Sequence, residues 1–154
     1  MTMQTYVFFD TENLPTLEEL QSAIIENGFD YNLPESMNLK ADSPVFIEGK
    51  FEGLESCFDY LYDPYQEDDW EWSEEDTKLL KSPNVVAVFN TYSNAQEIAG
   101  MLVTSSALTK ITNGVMLSDF FDDELIPSSE CVDFAKDTIE DSRDQFSGPS
   151  KMRG

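Results

Sequence analysis

Hydrophobic positions along the chain fall into short blocks whose period changes from one block to the next. "QTYVFF", Gln4 to Phe9, is rich in β-branched and aromatic residues and predicts a strand. "LPTLEELQSAIIENG" switches to helical spacing: Leu17, Leu20, Ala23 and Ile24 form the apolar stripe. Thr16 and Glu19 have the spacing of a capping box, and Asn27-Gly28 supplies the stop. A polar connection runs from Pro34 to Ser43. "PVFIEGKFEGLESCFDYLYD" then predicts a hairpin, two strands around a Glu48-Gly49-Lys50 turn.

Beyond the hairpin the pattern breaks in "DPYQEDDWEWSEED", a loop with a short acidic helix signalled near Ser73, where Glu74, Glu75 and Asp76 suit the positive end of a helix dipole. "NVVAVFNTYS" is nearly continuous in apolar residues, as expected of a strand covered on both faces. "SNAQEIAGMLVTSSALTKITNG" is the strongest helix signal. Ser93 is its expected cap, Gln96 stands at the capping-box position, Ile98, Ala99, Leu102, Val103 and Ala107 have core spacing, and Asn113-Gly114 terminates it. "GVMLSD" predicts another strand, and a last helix is expected from Ser129 to Asp144 with Val132, Ala135 and Ile139 inward. The order β-α-β-β-β-α-β-α predicts an α+β fold, with helices packed on a mixed, mostly antiparallel sheet. One domain is expected over 1–146, with a disordered tail at 147–154.

Composition sharpens this picture. The 154 residues are long enough for one core, and 40% hydrophobic residues are too many for an acidic disordered chain. Yet 31 Asp plus Glu stand against 9 Lys plus Arg, a net charge of −22. A like-signed field reaching about 8 Å in physiological salt opposes nucleic acid and anionic membrane alike. Its complement is a basic protein, captured quickly through opposite fields; solubility or a salt-rich environment would also account for acidity by itself. Cys57 and Cys131 lack CxxC spacing and read as free thiols. "MTMQTYVFFD" lacks the basic and apolar segments of a signal peptide, so a cytoplasmic location is expected.

The chain contains no histidine. That removes Ser-His-Asp and Cys-His nucleophile systems, imidazole acid–base work and nearly all zinc and iron sites. No cofactor is called for. What remains is carboxylate chemistry with a hard cation, or binding.

For binding, the distinctive stretch is Phe51 to Thr77, which holds eleven acids and no base. Tyr62, Tyr65, Trp70 and Trp72 are interleaved with them. A charge run alone is most often a solvated loop, but Trp and Tyr among charges are also what binding hot spots use. The candidate partner-binding residues are Asp63, Tyr65, Glu67, Asp68, Asp69, Trp70, Glu71, Trp72, Glu74, Glu75 and Asp76, with the two tryptophans as anchors. An EF-hand starting at Asp63 fails, since its sixth position is Asp68 where glycine is needed.

Two resemblances bear on function. "VFFDTENLP" resembles the first strand of NYN-type PIN-like ribonucleases, and "VMLSDFFDDELIP" is loosely similar to their later carboxylate strand. That resemblance implies magnesium held by Asp10, Asn13, Asp119 and Asp122. The chain departs from the family where a lysine–aspartate pair should open the central helix. Over a longer span, Leu14 to Asp119, the chain resembles cytoplasmic immunity proteins of bacterial polymorphic-toxin systems. The resemblance rests on a first helix ending in Gly28-Phe29, a hairpin with Gly53-Leu54-Glu55, and a small-residue-rich helix leading to Gly114-Val115. It implies a non-enzymatic protein that neutralises a toxin delivered by contact-dependent, Rhs or type VI routes. A DNA-mimic inhibitor of a nucleic-acid enzyme is the other binder that this charge fits.

Overall fold

The computed structural model describes residues 2–92, 94–118 and 124–145. Seven strands form one sheet: β1 (Thr2–Phe9), β2 (Tyr31–Asn32), β3 (Val45–Phe51), β4 (Leu54–Pro64), β5 (Val85–Tyr92), β6 (Val115–Ser118) and β7 (Leu125–Pro127). Four helices accompany them: α1 (Leu17–Glu26), α2 (Glu74–Leu80), α3 (Ala95–Thr112) and α4 (Cys131–Asp141). The sheet order is β2-β3-β4-β5-β1-β6-β7. The fold is α+β as expected, and every pairing is antiparallel where a mixed sheet was expected. The short strands β2 and β7 were not foreseen, because two or three residues carry no readable period. The expected tail, 147–154, lies outside the described residues.

Local signals hold at most boundaries. Thr16 and Glu19 form the capping box of α1, with Glu19 N–H donating to Thr16 Oγ1 at 3.1 Å and Thr16 N–H to the Glu19 carboxylate at 2.9 Å. Ser73 and Asp76 do the same for α2. Two expectations need correction. The cap of α3 is Asn94, whose Oδ1 accepts from the N–H of Gln96 and of Glu97; Ser93 lies outside the described residues. The hairpin turns at Glu52-Gly53, not at Glu48-Gly49-Lys50. Both turn residues have positive φ, 50° and 84°, as a two-residue loop between right-twisted strands requires.

Gly49 therefore sits inside β3, and its role is spatial. Tyr31, fully buried, lies beneath Gly49 on one side and against Gly100 of α3 on the other. Its hydroxyl donates to Ser56 O at 2.8 Å, while Ser56 Oγ donates to Gln96 O at 2.5 Å. Burial pushes the phenol's pKa above its ordinary value, so the hydroxyl stays a neutral donor. This network brings α3 so close to β4 that the helix must be glycine where it crosses Ser56.

Helix α3 lies over the middle of the sheet, flanked by α1 and α4, and is buried almost all round. The apolar stripe read from the sequence understated this. Thr104, Thr109 and Thr112 donate to the carbonyls four residues earlier, Gly100, Ser105 and Leu108, at 2.7–2.8 Å. Hydroxyls satisfied within their own helix can be buried at little cost, so "VTSSALT" packs as if it were apolar. Cys131 joins this layer, its Sγ 3.3 Å from Ser106 O, with burial pushing the thiol up to about 11; Cys57 is also a buried thiol.

Gly100→Ala is expected to destabilise the protein by about 1–3 kcal/mol, the cost of overpacking. A β-carbon there would fall on Ser56 Oγ and within 2.7 Å of Tyr31 Cε1. Urea unfolding measures it. A gain of about 1 kcal/mol, which helix propensity alone would bring, would show that the close approach is not real.

Candidate functional site

Alternation along the central strands sends apolar residues to both faces of the sheet. Val7, Phe9, Val85, Ala87, Phe89 and Met116 join the core beneath the helices. Phe8, Val86, Val115, Leu117 and Leu125 point the other way and form a second buried cluster with Leu80. The acidic segment covers that cluster. It leaves the end of β4, is pinned where Tyr65 N–H donates to Asn84 O at 2.9 Å, crosses the outer face, and returns through α2, whose Leu80 closes the cluster.

Its aromatic residues face inward. The Phe8 ring has Trp70, Trp72 and Tyr65 against it at centroid distances of 5.0, 5.5 and 5.8 Å, all edge-to-face. Trp70 and Trp72 stack on each other at 5.3 Å with planes 8° apart, and Trp70 also meets Tyr6 at 5.1 Å. Trp72 Nε1 donates to Tyr65 Oη at 2.7 Å, which satisfies the indole's single donor. These are geometries in which aromatic pairs contribute beyond the area they bury. Trp70 and Trp72 remain half-buried, packed on the outer face of the sheet.

The acids take the complementary positions. Glu67, Asp68 and Asp69 form a 3-10 turn and are exposed, Glu71 points outward between the two tryptophans, and Glu74 and Glu75 are exposed on the first turn of α2. Asp63 is half-buried opposite Val86, and Asp76 is half-buried in its capping box. The structure thus brings all eleven candidate residues onto one flank and divides them. Tyr65, Trp70 and Trp72 build the layer, Asp76 caps its helix, and the exposed carboxylates form a ridge above it. Among the described residues, the two ion pairs both belong to Arg143, with Glu52 and Glu140, and neither touches the ridge.

The residues of the nuclease resemblance have local duties. Asp10 caps the 3-10 turn Thr11–Asn13, its Oδ1 accepting from Glu12 N–H at 2.9 Å and from Asn84 Nδ2 at 3.4 Å. Asn13 Nδ2 donates to Thr112 O at 3.3 Å at the end of α3. Asp119 and Asp122 lie outside the described residues. Among the described residues no group of three or more Asp, Glu or Cys side chains is placed to hold a metal. Also among them, no helix is long and apolar enough to cross a membrane.

Away from the ridge, on the half of the outer face that the segment leaves open, Asp59 lies between Phe46 and Asn90 on neighbouring strands. Desolvation raises its carboxyl pKa above the ordinary value. In comparison with known proteins, the chain matches no family model, no curated protein and no solved structure.

Two outcomes are expected. Trp70→Ala and Trp72→Ala should each cost about 2–3 kcal/mol, less than a fully buried tryptophan, while Glu67→Lys and Glu71→Lys stay within about 0.5 kcal/mol. Denaturant midpoints decide it, and full stability in the tryptophan variants would remove the second core. For Asp59, a folded-state pKa above the unfolded value means the folded state binds the proton more readily, so its ionisation costs stability at neutral pH. Asp59→Asn should accordingly raise Tm at pH 7, with the difference shrinking as pH falls through the carboxylate range; a gap that stays constant with pH would contradict the desolvation.

Proposed function

We propose that the chain is a non-enzymatic immunity protein of a bacterial polymorphic-toxin system, which binds a basic toxin domain in the cytoplasm and occludes its active site. The observation that carries this reading is the ridge: Glu67, Asp68, Asp69, Glu71, Glu74 and Glu75, exposed, free of ion pairs among the described residues, and held on an ordered aromatic layer. A solvated acidic loop needs no such support. Charges fixed in place lose less entropy on binding than charges on a floppy loop, and they project a defined field toward an approaching cation. With the chain at −22, the natural target is a protein whose own site is positively charged, such as a nuclease with a basic substrate cleft.

The tryptophans expected as anchors also pack in the second core. Their rings serve the second core, so replacing them would test folding and binding together. Charge reversal on the ridge separates the two. The decisive experiment co-expresses this chain with the C-terminal domain encoded immediately upstream of its gene, reading growth rescue and complex formation. Rescue with a purified complex is expected. The combined Glu67→Lys, Asp68→Lys, Glu71→Lys and Glu74→Lys variant should associate about 10-fold or more slowly, with a weakened salt dependence. Absence of any complex at low salt would overturn the reading. Inhibition of several unrelated DNA-binding enzymes would point to DNA mimicry instead.

A further inference from the structure

The alternation that turns Phe8 and Val86 outward turns other residues the same way, on the half of the outer face that the acidic segment does not cross. These are Phe46 on β3, Asp59 and Leu61 on β4, and Val88, Asn90 and Tyr92 on β5, because Ile47, Phe58, Tyr60 and Phe89 between them enter the core beneath the helices. Phe46 is 41% exposed and Tyr92 45%, while Leu61 and Val88 are half-buried.

Register sets their neighbours. Asp59 lies across from Phe46 on one side and from Asn90 on the other, and Leu61 lies across from Val88. Residues two apart on a strand share a face, so Leu61 flanks Asp59 while Val88 and Tyr92 flank Asn90. A polar pair thus stands in an apolar surround, and both members have unmet acceptors. Asp59 makes no ion pair among the described residues, and its desolvation means that its charge costs the fold stability at neutral pH. Asn90 Oδ1 is buried with no hydrogen-bond partner among the described residues. What the pair lacks is a donor, and a positive one for the carboxylate.

We propose that this open half of the outer face seats the protein partner's apolar contacts around one arginine, whose guanidinium lies over Phe46 and donates to Asp59 and Asn90. Apolar side chains of the partner then cover Leu61, Val88 and Tyr92. The proposal rests on the reading of the chain as a binder of a basic protein. Three observations select the occupant. A guanidinium is the cation that stacks on a ring while it bonds a carboxylate, which matches Phe46 beside Asp59. Charge on this half is acidic on balance, Glu48, Glu55 and Asp59 against Lys50. The patch is also continuous with the layer beneath the ridge, since Val88 lies across from Tyr6, which Trp70 meets edge-on. A second copy of the chain is the poorer fit, because it would set one charge of −22 against another.

The test titrates the full chain, followed by nuclear magnetic resonance, with a capped tryptophan–arginine–tryptophan tripeptide. Its control carries citrulline, neutral and of nearly the same shape, in place of arginine, and both run at about 0.3 M NaCl to suppress long-range attraction. Saturable shifts of the Phe46, Leu61, Val88 and Tyr92 amides are expected, with the arginine peptide about 5-fold or more tighter. Asp59→Asn, expected to stabilise the fold, should bring the arginine peptide down to the citrulline level. Phe46→Ser should weaken the arginine peptide about 3-fold or more, while Glu67→Gln with Asp68→Asn changes it less than about 2-fold. Shifts confined to the ridge, equal binding of the two peptides, an unaffected Asp59→Asn variant or no saturable binding would overturn the proposal. So would concentration-dependent shifts of this face without peptide, which would make a second copy its occupant. The peptides involve no toxin domain, so a failed face and a failed toxin assignment are read separately.

Discussion

Packing around the Phe8 ring is the interaction on which the outer half of the molecule depends. Residues of β1 alternate strictly, so once Val7 and Phe9 enter the core beneath α3, Phe8 must emerge on the opposite face with Val86 and Val115. Left bare, that patch would be an apolar sheet surface. Tyr65, Trp70 and Trp72 close it, and in doing so they draw the most acidic part of the chain across the sheet. The placement of the carboxylates follows from the placement of the rings: Glu71 lies between two inward tryptophans and can only point out.

This arrangement reconciles a net charge of −22 with a compact fold. Self-repulsion among so many carboxylates opposes compaction. Among the described residues, the two ion pairs share one exposed arginine and offset little of it. Stability comes instead from burial on both faces of the sheet and from hydroxyls that satisfy themselves within α3. The acids stand where solvent screens them and where a basic partner would meet them first.

Much of the fold was legible because the signals are local. Thr16 with Glu19 and Ser73 with Asp76 satisfy helix N-termini through residues three apart, a relation the sequence displays directly. Misreadings arose where a distant contact outranked a local preference. Glu48-Gly49-Lys50 has the composition of a turn, but Gly49 is needed inside β3 because Tyr31, from another strand, occupies the space a side chain would fill.

By itself, then, the sequence determined the longer helices, the cap of α1, the α+β class, the negative field, and the absence of imidazole chemistry, since each depends on composition or on residues a few positions apart. Tertiary structure alone decided which face of the sheet each aromatic would serve. It placed Trp70 and Trp72, expected as anchors for a partner, in the layer that holds an anionic ridge. The reason is geometric: whether a tryptophan meets a partner or its own sheet depends on Phe8, more than sixty residues away in the chain, and no local pattern encodes that distance.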